Sequence, residues 1–292
     1  MPNILNIILP TFIVVLIGYI LGKTTRINMS SIVDVVLYIG LPALAFVSML
    51  SKDIVLLDAS RVWASAILIT FGCGIVAWIV FTILRQKHSG LYIPISMMNT
   101  VNIPFPIIFL AYGPEGLFAA TLFYIPNVIL LYSLGVFIAS KKHWRESARE
   151  IFRIPSIYAA IIGLSLNLFD VTVPQLIIKP LDFVSMMTIP LVLLVLGHGL
   201  SRVRISSVPT TLLASFLRMG VGLLLGLLAV NIFNLTGVLR SVVILDSAMP
   251  AAVISSILTS KYDNEANLVS SVVFTTTIVS LATIPLLLRM LY

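Results

Sequence analysis

Apolar runs of about 16 to 26 residues recur along the chain, separated by short polar or basic stretches. Each run matches the roughly 20 residues a helix needs to cross a bilayer, and is far longer than a barrel strand. The pattern predicts ten spans, over residues 4–21, 32–50, 62–84, 91–111, 117–139, 154–169, 181–200, 208–233, 238–258 and 268–291, hence an all-α polytopic membrane protein. Two runs are interrupted: the fourth by Asn99, Asn102, Pro104 and Pro106, the ninth over residues 246–250. Hydrocarbon supplies no water to a broken backbone, so irregular segments at that depth survive only where protein buries them or a wet cavity lines them. A pair of such breaks, one in each half, points to the binding site of a secondary transporter.

The stretch KKHWRESAREIFR, residues 141–153, divides the chain near its middle. Five spans precede it and five follow, and because five is odd the second half enters the membrane from the opposite face. The expected organisation is a first five-helix repeat over residues 1–140, a basic linker over 141–153, and a second, inverted repeat over 154–292. Landmarks recur at nearly constant offset: Pro42 and Pro190, Pro104 and Pro250, Tyr112-x-x-Glu115 and Tyr262-x-x-Glu265, separated by 148, 146 and 150 residues.

Composition narrows the function classes. Hydrophobic residues make up 59% and charged residues 10%, against roughly 25% charged in a soluble domain, which leaves no room for a soluble catalytic core. Lys and Arg sort by loop: Lys23, Arg26, Arg85, Lys87, Lys141, Lys142, Arg145, Arg149, Arg153, Arg202, Arg204 and Lys261 on one side, and Lys52, Arg61, Lys179, Arg240 and Arg289 on the other. By the positive-inside rule both termini lie outside, in the cell (inner) membrane. The net charge of +7 is explained by loops facing anionic lipid, with no nucleic-acid partner. His88, His143 and His198 lack zinc-ligand spacing, Cys73 stands alone, and no phosphate-cradling G-x-x-x-x-G-K-[ST] run occurs. No metal, cofactor or enzymatic activity is expected, and energy must come from a gradient or from the substrate itself.

At the breaks, Pro104, Pro106 and Pro250 remove backbone donors and should split the fourth and ninth spans into half-helices. If the unwound segments cross, two N-termini bring partial positive charge to one point and two C-termini bring partial negative charge, so anions and cations can both be bound. Asn99 and Asn102, three apart, would share one helical face and could donate to a carboxylate. Asp246 lies in the last turn before the second break, where a cation would relieve it. Two readings stay open: a buried ion pair with Arg218, or a carboxylate that couples transport to a proton or sodium ion.

The run from Asn99 through Pro106, the Ala248-Met249-Pro250-Ala251-Ala252 segment, Lys261-Tyr262 and the Thr-rich tenth span resemble the auxin efflux carrier family over the full chain. The resemblance implies a fold shared with bile-acid sodium symporters and sodium/proton antiporters. In it, helices 1, 2, 6 and 7 form a scaffold, with homodimerisation through those helices an open option, and helices 3–5 and 8–10 move as a transport unit. Family crossover positions fall on Asn99, Pro106 and Pro250, with a polar site at Asn127 and an aromatic neighbour at Tyr132. The implied activity is elevator-type carriage of a small organic anion such as a carboxylate, the alternative being a sodium/proton antiporter or sodium-coupled symporter of the same fold. Asp246 departs from the family pattern, as does the short middle loop.

Overall fold

The computed structural model describes residues 4–51, 56–140, 151–203 and 205–291, and these residues are helical apart from turns and one isolated bridge. The expectations for Lys52, Lys141, Lys142, Arg145, Arg149 and Arg204, and for most of the central linker, fall outside the described residues. Seven helices among those described are long and apolar enough to cross a membrane: α1 (Ile4–Thr24), α2 (Ser30–Leu50), α3 (Leu56–Ile83), α5 (Pro104–Ser140), α7 (Gln175–Leu200), α8 (Val208–Ile232) and α11 (Ala266–Leu291). Shorter helices lie between them: α4 (Tyr92–Ser96), α6 (Pro155–Leu168), α9 (Gly237–Ser247) and α10 (Val253–Lys261).

Length alone therefore counts seven spans where the apolar pattern counts ten, and the difference has local causes. The run expected over residues 91–111 is divided between α4 and the start of α5, and that over 238–258 between α9 and α10, while α6 has only 14 residues. In turn α5 joins two expected spans across a kink at Gly113, whose φ of 64° is open to glycine without steric cost. Large apolar side chains such as Leu16, Phe71, Ile75, Trp78, Phe183 and Leu224 are exposed on the outside of the bundle. In water so wide an apolar surface would be an anomaly; with seven helices long and apolar enough to cross a bilayer, the chain is an integral membrane protein.

Two sets of helices pack around the breaks. In the first, α1 lies along α7, and α2 packs on α6 and α7. The approach of α1 to α7 is close enough that a Cβ at Gly197 would run into the Val15 carbonyl, the small-residue contact that membrane helices use when no hydrophobic driving force separates lipid from protein. In the second set, α5 packs on α3 and α9, α8 on α3, α9 and α11, and α10 on α11. Three helices carry a π-helical turn, at Val36–Gly40 in α2, Leu131–Gly135 in α5 and Leu217–Val221 in α8. Such turns are rare and concentrate at functional sites, and all three contribute residues to the region described next.

Candidate functional site at the crossing of the broken helices

Between α4 and α5 the chain is non-helical over residues 97–103, and between α9 and α10 over residues 248–252. The two segments run antiparallel and pair. The Asn99 N–H donates to the Pro250 carbonyl at 2.8 Å, the Ala252 N–H donates to the Met97 carbonyl at 2.9 Å, and Met98 bridges Ala251. The Ala251 N–H donates to Thr276 Oγ1 of α11 at 3.2 Å. Each break thus supplies the partners that the other would lose in a dry interior. Pro104 and Pro106 stand in the first turn of α5, where a missing N–H costs nothing; they begin the second helix, and the irregular stretch lies before them.

Asn99 and Asn102 do not share a helical face. Asn99 Oδ1 accepts from the Val101 N–H at 3.3 Å and the Asn102 N–H at 2.9 Å, an Asx turn that closes the first break upon itself. This leaves Asn99 Nδ2 buried with no partner among the described residues. Both asparagines line a cavity of about 140 Å³, together with Tyr124, Asn127 and Tyr132 of α5, Thr100, and Ala252 to Ile254 at the start of α10. Apolar side chains of α2 and α7, among them Val36, Leu37 and Val192, close it. Of the two helices that start here, α10 lines the cavity with its first residues, Val253 and Ile254, and the first turn of a helix presents unpaired N–H groups and a partial positive charge; α5 starts with Pro104 and Pro106, which have no N–H, and its Phe105 and Ile107 N–H groups donate to the Val101 and Ile103 carbonyls.

Asn127 is held from two directions, its Oδ1 accepting from Thr70 Oγ1 at 3.2 Å and its Nδ2 donating to the Phe123 carbonyl at 2.9 Å. Tyr124 shares a 2.7 Å hydrogen bond with Ser156 of α6. Pro104 and Pro250 are buried beside the cavity without lining it, and Pro106 lines a second cavity of about 700 Å³. That second cavity takes residues 44–51 of α2 and 178–193 of α7, where the first takes residues 33–41 and 192–195, so the two lie at successive levels along the same helices.

The chain belongs to the membrane transport protein family. The profile of that family, the auxin efflux carrier-like group, matches residues 3–153 and 142–288. A transporter of Methanocaldococcus jannaschii, named as uncharacterized, is 25% identical over 97% of each chain. One of Methanothermobacter thermautotrophicus, likewise named, is 28% identical over 96% of this chain and 95% of its own. The likeness to archaeal transporters fits a microbial member of the family and points to transport rather than catalysis.

The opposite ends of the half-helices are built differently. Arg218, in the π-helical turn of α8, is wholly buried, and its guanidinium reaches the C-terminal ends of both α4 and α9. Nη1 donates to the carbonyls of Ile95 at 2.9 Å and Ser96 at 3.2 Å, and Nη2 to that of Ser247 at 2.7 Å. Hydrogen bonds to a charged donor contribute about 1.5–3 kcal/mol each, and three of them offset the several kcal/mol that burying the ion costs. The ion pair between Arg218 and Asp246 is not formed: both Asp246 oxygens, also wholly buried, have no hydrogen-bond partner among the described residues. From sequence, Arg218 is the one obvious buried basic partner for Asp246, whereas the carbonyls it binds instead belong to helix ends that composition does not reveal. Thr70, Ser156 and Thr276 were equally hidden, since a Ser or Thr hydroxyl in an apolar helix ordinarily bonds the carbonyl four residues back, as Thr276 also does.

Proposed function

We propose that this family member is a secondary active carrier for a small organic anion, a carboxylate being the simplest candidate, with the substrate bound in the cavity at the helix crossing. One observation carries the reading: the cavity is lined by the first residues of α10 and by Asn99, whose buried Nδ2 lacks an acceptor among the described residues. An anion there would meet the N-terminus of α10 and amide donors from Asn99 and Asn102, with Tyr132 and the apolar wall around its body.

In this reading the chain is ten spans arranged as five and an inverted five, with α4 and the start of α5 as the fourth and α9 with α10 as the ninth. Helices α1, α2, α6 and α7 serve as scaffold, and the remaining helices carry the crossing past them so that it faces each side in turn. The packing of α1 on α7 and of α2 on α6 supports that division, and the cavities at two levels along α2 and α7 suit two positions of a moving site. Both termini then face the outside of the cell membrane, and dimerisation through the scaffold leaves the moving part free. Asp246 favours a second reading within the same fold. An unpartnered carboxylate at bilayer depth costs about 2.5–3.5 kcal/mol, which a bound proton or cation would remove, as in a cation antiporter or symporter.

Uptake into proteoliposomes, screened over mono- and dicarboxylates with thermal stabilisation as the first filter, tests the anion reading. Asn99→Ala is expected to leave a folded protein with uptake reduced at least tenfold. Unchanged uptake would remove the cavity from the mechanism, and cation flux with no organic substrate would favour the second reading.

A further inference from the structure

The ends of α4 and α9 meet in the bundle interior, where three carbonyls from the two helices converge. The C-terminus of α9, 11 residues long, adds about half a negative charge; α4, with 5 residues, contributes its carbonyls alone. In carriers with broken helices, unwound carbonyls and half-helix C-termini are where a coupling ion is held. In this chain the place is filled by a side chain. Arg218 sits among the Ile95, Ser96 and Ser247 carbonyls with no exposed surface, and room for it is made by Gly222, one turn along α8, where any Cβ would overlap both Nη2 and the Ser247 carbonyl.

We propose that Arg218 is a tethered cation: its guanidinium permanently occupies the position of an inorganic coupling ion among these three carbonyls, so they bind neither sodium nor potassium. The argument is one of chemistry and attachment. A guanidinium cannot be deprotonated in a protein, and its planar fork reaches carbonyls of two helices at once, which an ammonium on a flexible stem does less well. Being covalently held by α8, it moves with α4 and α9 and is never released to either side, so no ion gradient can do work through it. The crossing keeps the positive charge that stabilises its carbonyl ends and loses ion dependence at that point. Nε has no partner among the described residues, so the stabilisation comes through the two Nη groups alone.

The test uses the purified full-length protein in detergent and reads thermal unfolding, which does not involve the transported anion and so is independent of whether the anion reading holds. Wild type is expected to melt at the same temperature in sodium, potassium or N-methylglucamine chloride. Arg218→Ala is expected to melt several degrees lower and to recover, saturably, with millimolar guanidinium chloride, while an equal concentration of urea does nothing. Arg218→Lys should lose less and respond little to guanidinium. A sodium- or potassium-specific rise that persists in Asp246→Asn overturns the proposal, as does an alanine variant that no small cation restores. If the alanine variant cannot be recovered, the lysine variant and the salt series decide: a lysine variant as stable as wild type and a sodium requirement that persists in Asp246→Asn would each sink it.

Discussion

On one side of the helix crossing, the carbonyls of Ile95, Ser96 and Ser247 are all taken up by one buried guanidinium, and α8 presses on α9 so closely that Gly222 and Gly226 have no space for a Cβ beside Ser247. On the other side, the first residues of α10 and the middle of α5 border a cavity, and Asn99 keeps a buried amide group without an acceptor among the described residues. Native interiors satisfy nearly all their polar groups, so an orphan donor asks for an explanation. The contrast separates what holds the broken helices together from what is left available to a ligand. Substitutions on the filled side should act on stability, and those on the open side on transport.

The largest effect is expected from Gly222→Val, which drives a branched side chain into the Ser247 carbonyl and the Arg218 guanidinium; overpacking of this kind costs about 2–3 kcal/mol, visible as a lower melting temperature in detergent. Next is Thr70→Val, which leaves Asn127 Oδ1 without its donor and should cost about 1–2 kcal/mol for a buried acceptor left unsatisfied. Because it also frees the Asn127 amide to turn, uptake should fall with stability, and a fall in stability alone would place Asn127 on the structural side of the comparison. Asn99→Ala gives up the Asx turn, worth about 1 kcal/mol, yet should weaken uptake far more than that figure accounts for. Asp246→Asn should destabilise least, since no hydrogen bond to the carboxylate is lost and a neutral amide sheds the cost of an ionised group in the interior, so the melting temperature should stay level or rise; the response of uptake to a pH or sodium gradient is the measurement that would reveal a coupling role.

The all-helical character is legible in the sequence itself, because the length of an apolar run and the thickness of hydrocarbon leave little choice but helices. The neighbourhood of the irregular segments is legible in part: Asn99 and Asn102 fall within residues 97–103 and Pro250 within 248–252, whereas Pro104 and Pro106 start a helix instead of breaking one. The inner geometry of those segments is not. A helical face for Asn99 and Asn102 follows from spacing only if the backbone stays helical, and here Asn99 Oδ1 instead collects the N–H of Asn102. Opposite charges suggest the pairing of Asp246 with Arg218, but peptide carbonyls at helix ends compete for a guanidinium and carry no mark in the sequence. Thr70 and Thr276 matter through partners 57 and 25 residues away, a relation that only the packing of helices creates.

The antiparallel contact between the two irregular segments limits what can move. Asn99 to Pro250 and Ala252 to Met97 are the rungs of a ladder two bonds long, set among buried residues. Pulling the segments apart would leave two amides and two carbonyls unpaired, at several kcal/mol for each group that water does not reach. A motion that carries the crossing is therefore expected to keep the two segments riveted and shift them as one piece.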